Sequence, residues 1–241
     1  MDRGIWATWY DLPERGKDEY ISWLHESHIP RMLCQPGYLW GAHIENIWDE
    51  KREQRKARRL THTQDPNVPT GNAYLMLFGA PFPTVFLDPS PAQLVESLNR
   101  DDREMLSRRV GVRSCIFMER ARVDGSESAS RRPGLTPGPA IQMGSFNING
   151  TENENEIGSW YAQLRNPRLK KMAGCVGARN LVSVSGWPKH SVLYEWVSID
   201  SLRENFTSEN VDRTEEAVAK LIHAPGSPTL GNRIWPPIDS L

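Results

Sequence analysis

Cysteine is scarce in this chain and occurs in no motif that would use it. Cys34, Cys115 and Cys175 lie far apart without a Cys-x-x-Cys pair, which argues against a disulfide framework or a thiolate zinc centre and leaves three reduced thiols. No run approaches the roughly 20 apolar residues of a membrane span. Met1-Asp2-Arg3 leads into a strand-like segment rather than a signal peptide, so a cytoplasmic location is expected. Neither sign of charge is in excess: 29 basic and 30 acidic residues give a formal net charge of -1, and no overall field draws the chain to nucleic acid or a membrane surface. The Asn-x-Thr sequences at Asn149 and Asn205 would matter only in a secreted chain. A Gly-rich phosphate loop, a Rossmann fingerprint and a Gly-x-Ser-x-Gly elbow are also missing, so kinase, hydride-transfer and serine-hydrolase chemistry lack their usual signatures.

The chain does have 38% hydrophobic residues, enough for one large core or for two domains of about 100 residues. An internal repeat favours two. Trp23 to Ala42 (WLHESHIPRMLCQPGYLWGA) lies without gaps on Trp160 to Arg179 (WYAQLRNPRLKKMAGCVGAR), so that Trp23, Pro30, Arg31 and Gly37 fall on Trp160, Pro167, Arg168 and Gly174. A strand-like segment precedes each helix, Gly4 to Asp11 over Ile141 to Ile148. Tyr74 to Ala80 and Ser191 to Val197 are rich in aromatic and β-branched residues and read as the third strand of each copy. A helix follows each: Pro91 to Arg109, with Ser90 as N-cap, and Glu215 to Ile222, with a helical turn near Ser201 before it. Arg113 to Arg122 and Gly231 to Trp235 close the two units. The expected fold is α+β: two tandem ferredoxin-like βαββαβ repeats, residues 1–124 and 140–241, joined by a Ser/Gly/Pro-rich linker at 125–139. Each unit leaves one sheet face in need of a partner, and two copies can supply one another.

The stretch Trp23, His28, Pro30, Arg31, Pro36, Gly37 resembles the dimeric α+β barrel superfamily, in particular its EthD-like members, where a Trp-x(4)-His-x-Pro-Arg stretch ends the first helix before a Pro-Gly turn. The resemblance implies an intrachain barrel of two halves, with the position matching His28 at the mouth of a cavity between helix and sheet. Only the first half keeps the histidine.

The two copies share Trp, Pro and Gly, but His25, His28 and His43 become Ala162, Arg165 and Asn180. The fold therefore manages without these histidines. Imidazole titrates near neutrality and suits proton transfer, so His28 is the leading general base or acid, with His43 or Tyr10 as second proton group and Arg31 steadying negative charge. A rate limb near neutrality is expected. His43 shares a strand face with Glu45, which would fix its tautomer. Substrate contacts are expected from His25, Trp6, Trp9, Trp40, Glu45 and Tyr74, since aromatic walls with a few polar groups make a pocket for a ring compound. The bland readings are helix C-terminal histidines favoured by the dipole, and core aromatics. A metal is not expected: HESH lacks the HExxH spacing and has no evident third ligand.

The connection Asp49 to Asn72, replaced in the second half by a four-residue turn, carries DEKREQRKARR with six basic and three acidic residues. It reads as a solvated helical turn and loop or, more sharply, as a lid over the first-half site. The functional expectation is an acid/base enzyme without organic cofactor, a lyase, isomerase, dehydratase or cyclase acting on an aromatic or polyketide-like small molecule, with further homodimerisation left open. The alternatives are haem binding, which the resemblance implies through His28 or His25, and a non-catalytic small-molecule binder.

Overall fold

The computed structural model describes residues 2–130, 137–206 and 214–238. In chain order it forms β1 (Gly4–Asp11), α1 (Lys17–Trp23), a π-helical turn (Leu24–His28), α2 (Ile29–Leu33), β2 (Trp40–Asn46), α3 (Glu50–Arg59), β3 (Thr61–His62) and β4 (Tyr74–Ala80). There follow α4 (Pro91–Ser97), α5 (Arg100–Ser107), β5 (Val110–Asp124), β6 (Ala140–Ile148), α6 (Glu154–Trp160), a second π-helical turn (Tyr161–Arg165) and α7 (Asn166–Leu169). The chain ends with β7 (Cys175–Gly186), β8 (His190–Trp196), α8 (Ile199–Asn205), α9 (Thr214–Ala219), β9 (Leu221–His223) and β10 (Thr229–Trp235).

Eight strands close into an antiparallel barrel in the order β10-β2-β4-β1-β5-β7-β8-β6, with β10 bonded to β2 on one side and β6 on the other. Strands β2-β4-β1-β5 stand together, and so do β7-β8-β6-β10. Alternation sends one face of each strand inward. Ile5, Ala7, Trp9, Trp40, Leu77, Phe117 and Leu193 pack the barrel interior, while Tyr10, Met76, Phe78 and Ile116 turn outward against α1 and α2. Phe146, Val192 and Tyr194 likewise face the second set of helices. After α2 and α7 the chain reverses through Gly37 (φ 85°) and Gly174 (φ 76°), left-handed positions that a side chain would strain.

Several sequence expectations are corrected. The helix at Pro91 to Arg109 is two helices, because Leu98 is extended and the Asn99 side chain caps a new start at Asp102 N–H, 2.8 Å away. Helix α9 stops at Ala219, and Leu221–His223 pairs with β6 as a strand. The helix and strand of the connection after β2 go to the second half and not over the first-half site: α3, capped by Asp49, donates from Arg52 to Pro228 O at 2.6 Å and from Lys56 to Gly226 O at 2.8 Å, and β3 pairs in parallel with β9. In the linker, Ser128–Ser130 is a 3-10 turn, and 131–136 lie outside the described residues.

The barrel interior also holds charge. Arg179, 1% exposed, donates to Asp2 at 2.7 Å and to Glu195 at 3.1 Å, and Arg122 reaches Asp2 at 2.8 Å. Burial works against ionising Asp2, yet Arg179 and Arg122 hold its carboxyl down at about 2. Removing the central cation would leave Glu195 without it in a dry core. Arg179→Met is expected to lower stability by about 3–5 kcal/mol in urea titrations; a loss under about 1 kcal/mol would show that the interior does not depend on this pair.

Candidate functional site

The site is set by a proline. Pro30 has no N–H and its ring crowds the carbonyl four residues back. Just before it the helix widens, and Ile29 N–H donates to Leu24 O five residues away. The aligned Pro167 has the same neighbour, a wide turn in which Asn166 N–H donates to Tyr161 O. In the first half this sends the two helix histidines to different places: His25 joins a network on the sheet, and His28 lines a cavity.

The cavity, about 660 Å³, lies between α2, α4 and α5 and the outer face of β1 and β5. Met32, Leu94, Val95, Leu98 and Val112 make its apolar walls, and His28, Arg31 and Arg109 are its titratable or charged groups. Trp6 lines it too, with Nε1 donating to Ser114 Oγ at 2.7 Å. His28 is 7% exposed, stacks on Trp23 at 4.9 Å, and leaves Nδ1 without a hydrogen-bond partner. Burial, then the nearby Arg109 and Arg31, push its pKa down to about 3, so the imidazole is neutral at physiological pH. The expected rate limb near neutrality is thereby corrected: protonation of this group is moved far into acid.

Behind the cavity stands Asp102, 5% exposed, which accepts from Arg31, from Trp23 Nε1 at 2.7 Å and from Asn99 Nδ2 at 2.8 Å. The Arg31 hydrogen bond, against some burial, holds its carboxyl below the usual range. Asp102, Asn99 and Arg109 were not singled out by sequence reasoning. Asn99-Arg100-Asp101-Asp102 carries an N-cap followed by an acidic first turn, and that signal could have marked the break.

A second network lies beneath. His25 Nε2 is 2.8 Å from His43 Nδ1, and His43 Nε2 is 2.9 Å from Tyr10 OH. His43 and Tyr10 are fully buried. Burial, then His25 and Arg109, hold His43 well below its ordinary value, and burial first of all raises Tyr10 well above its own. Both groups are therefore neutral, and neither lines the cavity. Arg109 joins the two layers: its guanidinium lies 4.4 Å over the Tyr10 ring, its Nε donates to Tyr20 OH at 2.5 Å, and it lines the cavity.

Of the residues nominated from sequence, His28, Arg31 and Trp6 meet in the cavity. His25, His43, Tyr10 and Tyr74 form the layer below, with Tyr74 stacked on His43 at 5.2 Å. Glu45 is exposed and accepts from Tyr74 OH at 3.4 Å, so it does not fix the His43 tautomer. Trp9 and Trp40 face the barrel interior by strand alternation, with Nε1 atoms on Thr229 (3.1 Å) and Asp2 (2.7 Å). Among the described residues no group of three or more metal-ligating side chains is gathered, and no helix is long and apolar enough to cross a membrane.

The fold, a closed eight-stranded antiparallel barrel with helices on its outer face, is shared by solved structures. It matches an anthrone oxidase-like protein with TM-score 0.59 and 10% identity over 96% of this chain and 90% of that one. A monooxygenase-like protein of Fusobacterium nucleatum matches with TM-score 0.55 and 10% identity, covering 96% and 92%. Chlorite dismutase from Candidatus Nitrospira defluvii, in complex with imidazole, matches with TM-score 0.51 and 9% identity, covering 98% and 92%. At these identities the likeness is one of fold. No family model and no curated protein matches the sequence.

A buried neutral histidine ties stability to pH. The folded pKa of His28, about 3, lies below its ordinary 6.5, so its contribution is fully present above 6.5 and is lost as the pH falls toward 3. At pH 5 the loss from this residue is about 2 kcal/mol. The melting temperature should fall between pH 7 and 5, and less steeply in His28→Asn; parallel curves for the two proteins would show that His28 is not held neutral.

Proposed function

We propose that the cavity beside α2 holds an aromatic, polyketide-like small molecule and that His28 moves a proton on it without an organic cofactor, in a lyase, isomerase, dehydratase or cyclase reaction. The observation that carries this reading is a neutral, buried imidazole, unbonded at Nδ1, that lines an apolar cavity with two guanidinium groups. A weakly acidic C–H or O–H of the substrate gives its proton to His28; the C–H or O–H bond breaks, an N–H bond forms, and the electron pair delocalises into the ring or a conjugated carbonyl. Arg109 and Arg31 offset the charge that develops on oxygen, and Asp102 favours the imidazolium. Return of the proton to another atom completes an isomerisation, or loss of a leaving group an elimination. Tyr10, His43 and His25 act through Arg109 as positioning residues. The neighbour named for anthrone oxidation is consistent with substrates of this kind, since an anthrone is a tricyclic ketone with an acidic methylene.

We read the chain as tandem ferredoxin-like units of the EthD-like kind, 1–124 and 140–241, with the first as the active half. Four adjacent strands from each part and wide turns at aligned positions support it.

A second reading, haem held by His28, draws on the same free nitrogen of a neutral imidazole. The cavity residues fit: His28 would hold the iron and Arg109 would face a carboxylate, while bound haem would supply redox chemistry at the iron. His25, the other candidate ligand, is turned to His43 and is set aside.

Hydrogen–deuterium exchange at the methylene of anthrone in deuterated buffer tests the first reading. The wild type should accelerate exchange, with a rate flat across neutral pH, and His28→Ala should lose about 10²- to 10⁴-fold. His25→Ala should lose less. Equal rates in wild type and His28→Ala would assign the cavity to binding alone. A Soret band on titration with haemin that is absent in His28→Ala would favour the second reading.

A further inference from the structure

The second half has its own cavity, and its chemistry differs from that of the first. It measures about 370 Å³ and lies between α3, α8 and the outer face of β6 and β8. Phe146, Tyr161, Tyr194 and Phe206 give it an aromatic floor. Arg52, Arg55, Lys56, Arg59, Arg165 and Arg203 line it, and among the described residues no aspartate or glutamate does.

These cations are not equivalent. Arg52 and Lys56 are committed to backbone carbonyls and to Glu53, Arg59 reaches Glu215 at 3.8 Å, and Arg203 reaches Asp200 at 3.7 Å. Arg55 is exposed. Arg165 is the exception: it is 5% exposed, its Nε and Nη1 have no hydrogen-bond partner, and its guanidinium stacks on Phe206 at 4.3 Å. A guanidinium keeps its charge in a protein, and burying it without an acceptor is costly. An acceptor supplied from the adjoining cavity removes that cost and gains a charge-assisted, forked hydrogen bond. Arg165 also stands where the aligned first copy has His28.

We propose that this cavity is a binding site for an amphipathic organic anion, an apolar chain or ring carrying a carboxylate or sulfonate that Arg165 grips while the aromatic floor takes the body. The basic residues of α3 at the rim draw the anion in. The insertion after β2 thus serves the second cavity. The inference rests on residues separate from the proton-transfer site and stands or falls independently of it.

Calorimetric titration with dodecanoate and, as the uncharged comparison, dodecan-1-ol tests it on the full chain. Dodecanoate should bind the wild type and His28→Ala alike. Arg165→Met should weaken dodecanoate about 10- to 100-fold and leave dodecan-1-ol unchanged, and Arg165→Lys should fall between. Because the arginine is buried without a partner, Arg165→Met should melt no lower than the wild type in the absence of ligand. A crystal structure of the wild type with dodecanoate should place the carboxylate on Arg165. Absence of dodecanoate binding, equal affinity in Arg165→Met, or a carboxylate bound elsewhere would overturn the proposal.

Discussion

Closure of the barrel is the constraint on which the rest of the molecule depends. Because β10 bonds on both of its sides, the ring of eight strands has no free edge, and each strand must send alternate residues into a packed interior. That interior is taken by Trp9, Trp40, Phe117 and the ion pairs of Arg179. Ligand space is therefore built outside the ring, where helices lie on the sheet and leave gaps between side chains. Both cavities are of this kind, and the parity of a residue on its strand decides whether it can take part. Trp6 can and Trp9 cannot, though they are three residues apart on one strand.

Within that frame, the widened turn before Pro30 does the chemical sorting. In a regular helix His25 and His28 would lie near one another. The wider turn separates them. His25 caps a buried line of hydrogen bonds to His43 and Tyr10, while His28 keeps one nitrogen free. The buried line orders its aromatic layer and supports Arg109 from below, since a cation over the Tyr10 ring is attracted to its face.

Local patterns carried much of this in the sequence. The shared Trp, Pro and Gly spacing marked the two helices and the reversals after them, and alternation in Gly4 to Asp11 placed Trp6 and Tyr10 on one face. What could not be read was long-range. Asp102 comes to Arg31 and Trp23 from across the chain. The destination of α3 depends on carbonyls of Gly226 and Pro228, to which no local pattern points. His43 and Glu45 do share a face, but the face is deeply covered at His43 and open at Glu45, and strand spacing alone carries no information about depth.

The aligned positions 28 and 165 show why one backbone setting can host two chemistries. Both side chains are buried at the end of a wide turn and both border a cavity. Burial acts on them oppositely in effect. An imidazole answers desolvation by giving up its proton and stays neutral, a weaker base that keeps a lone pair. A guanidinium has no such recourse and keeps its charge, so the same desolvation leaves it in want of an anion. The choice of side chain at this one point then divides the molecule: a neutral imidazole beside Asp102 and Arg109 on the α2 side, and a buried guanidinium with two unbonded nitrogens on the side that the basic helix α3 overhangs.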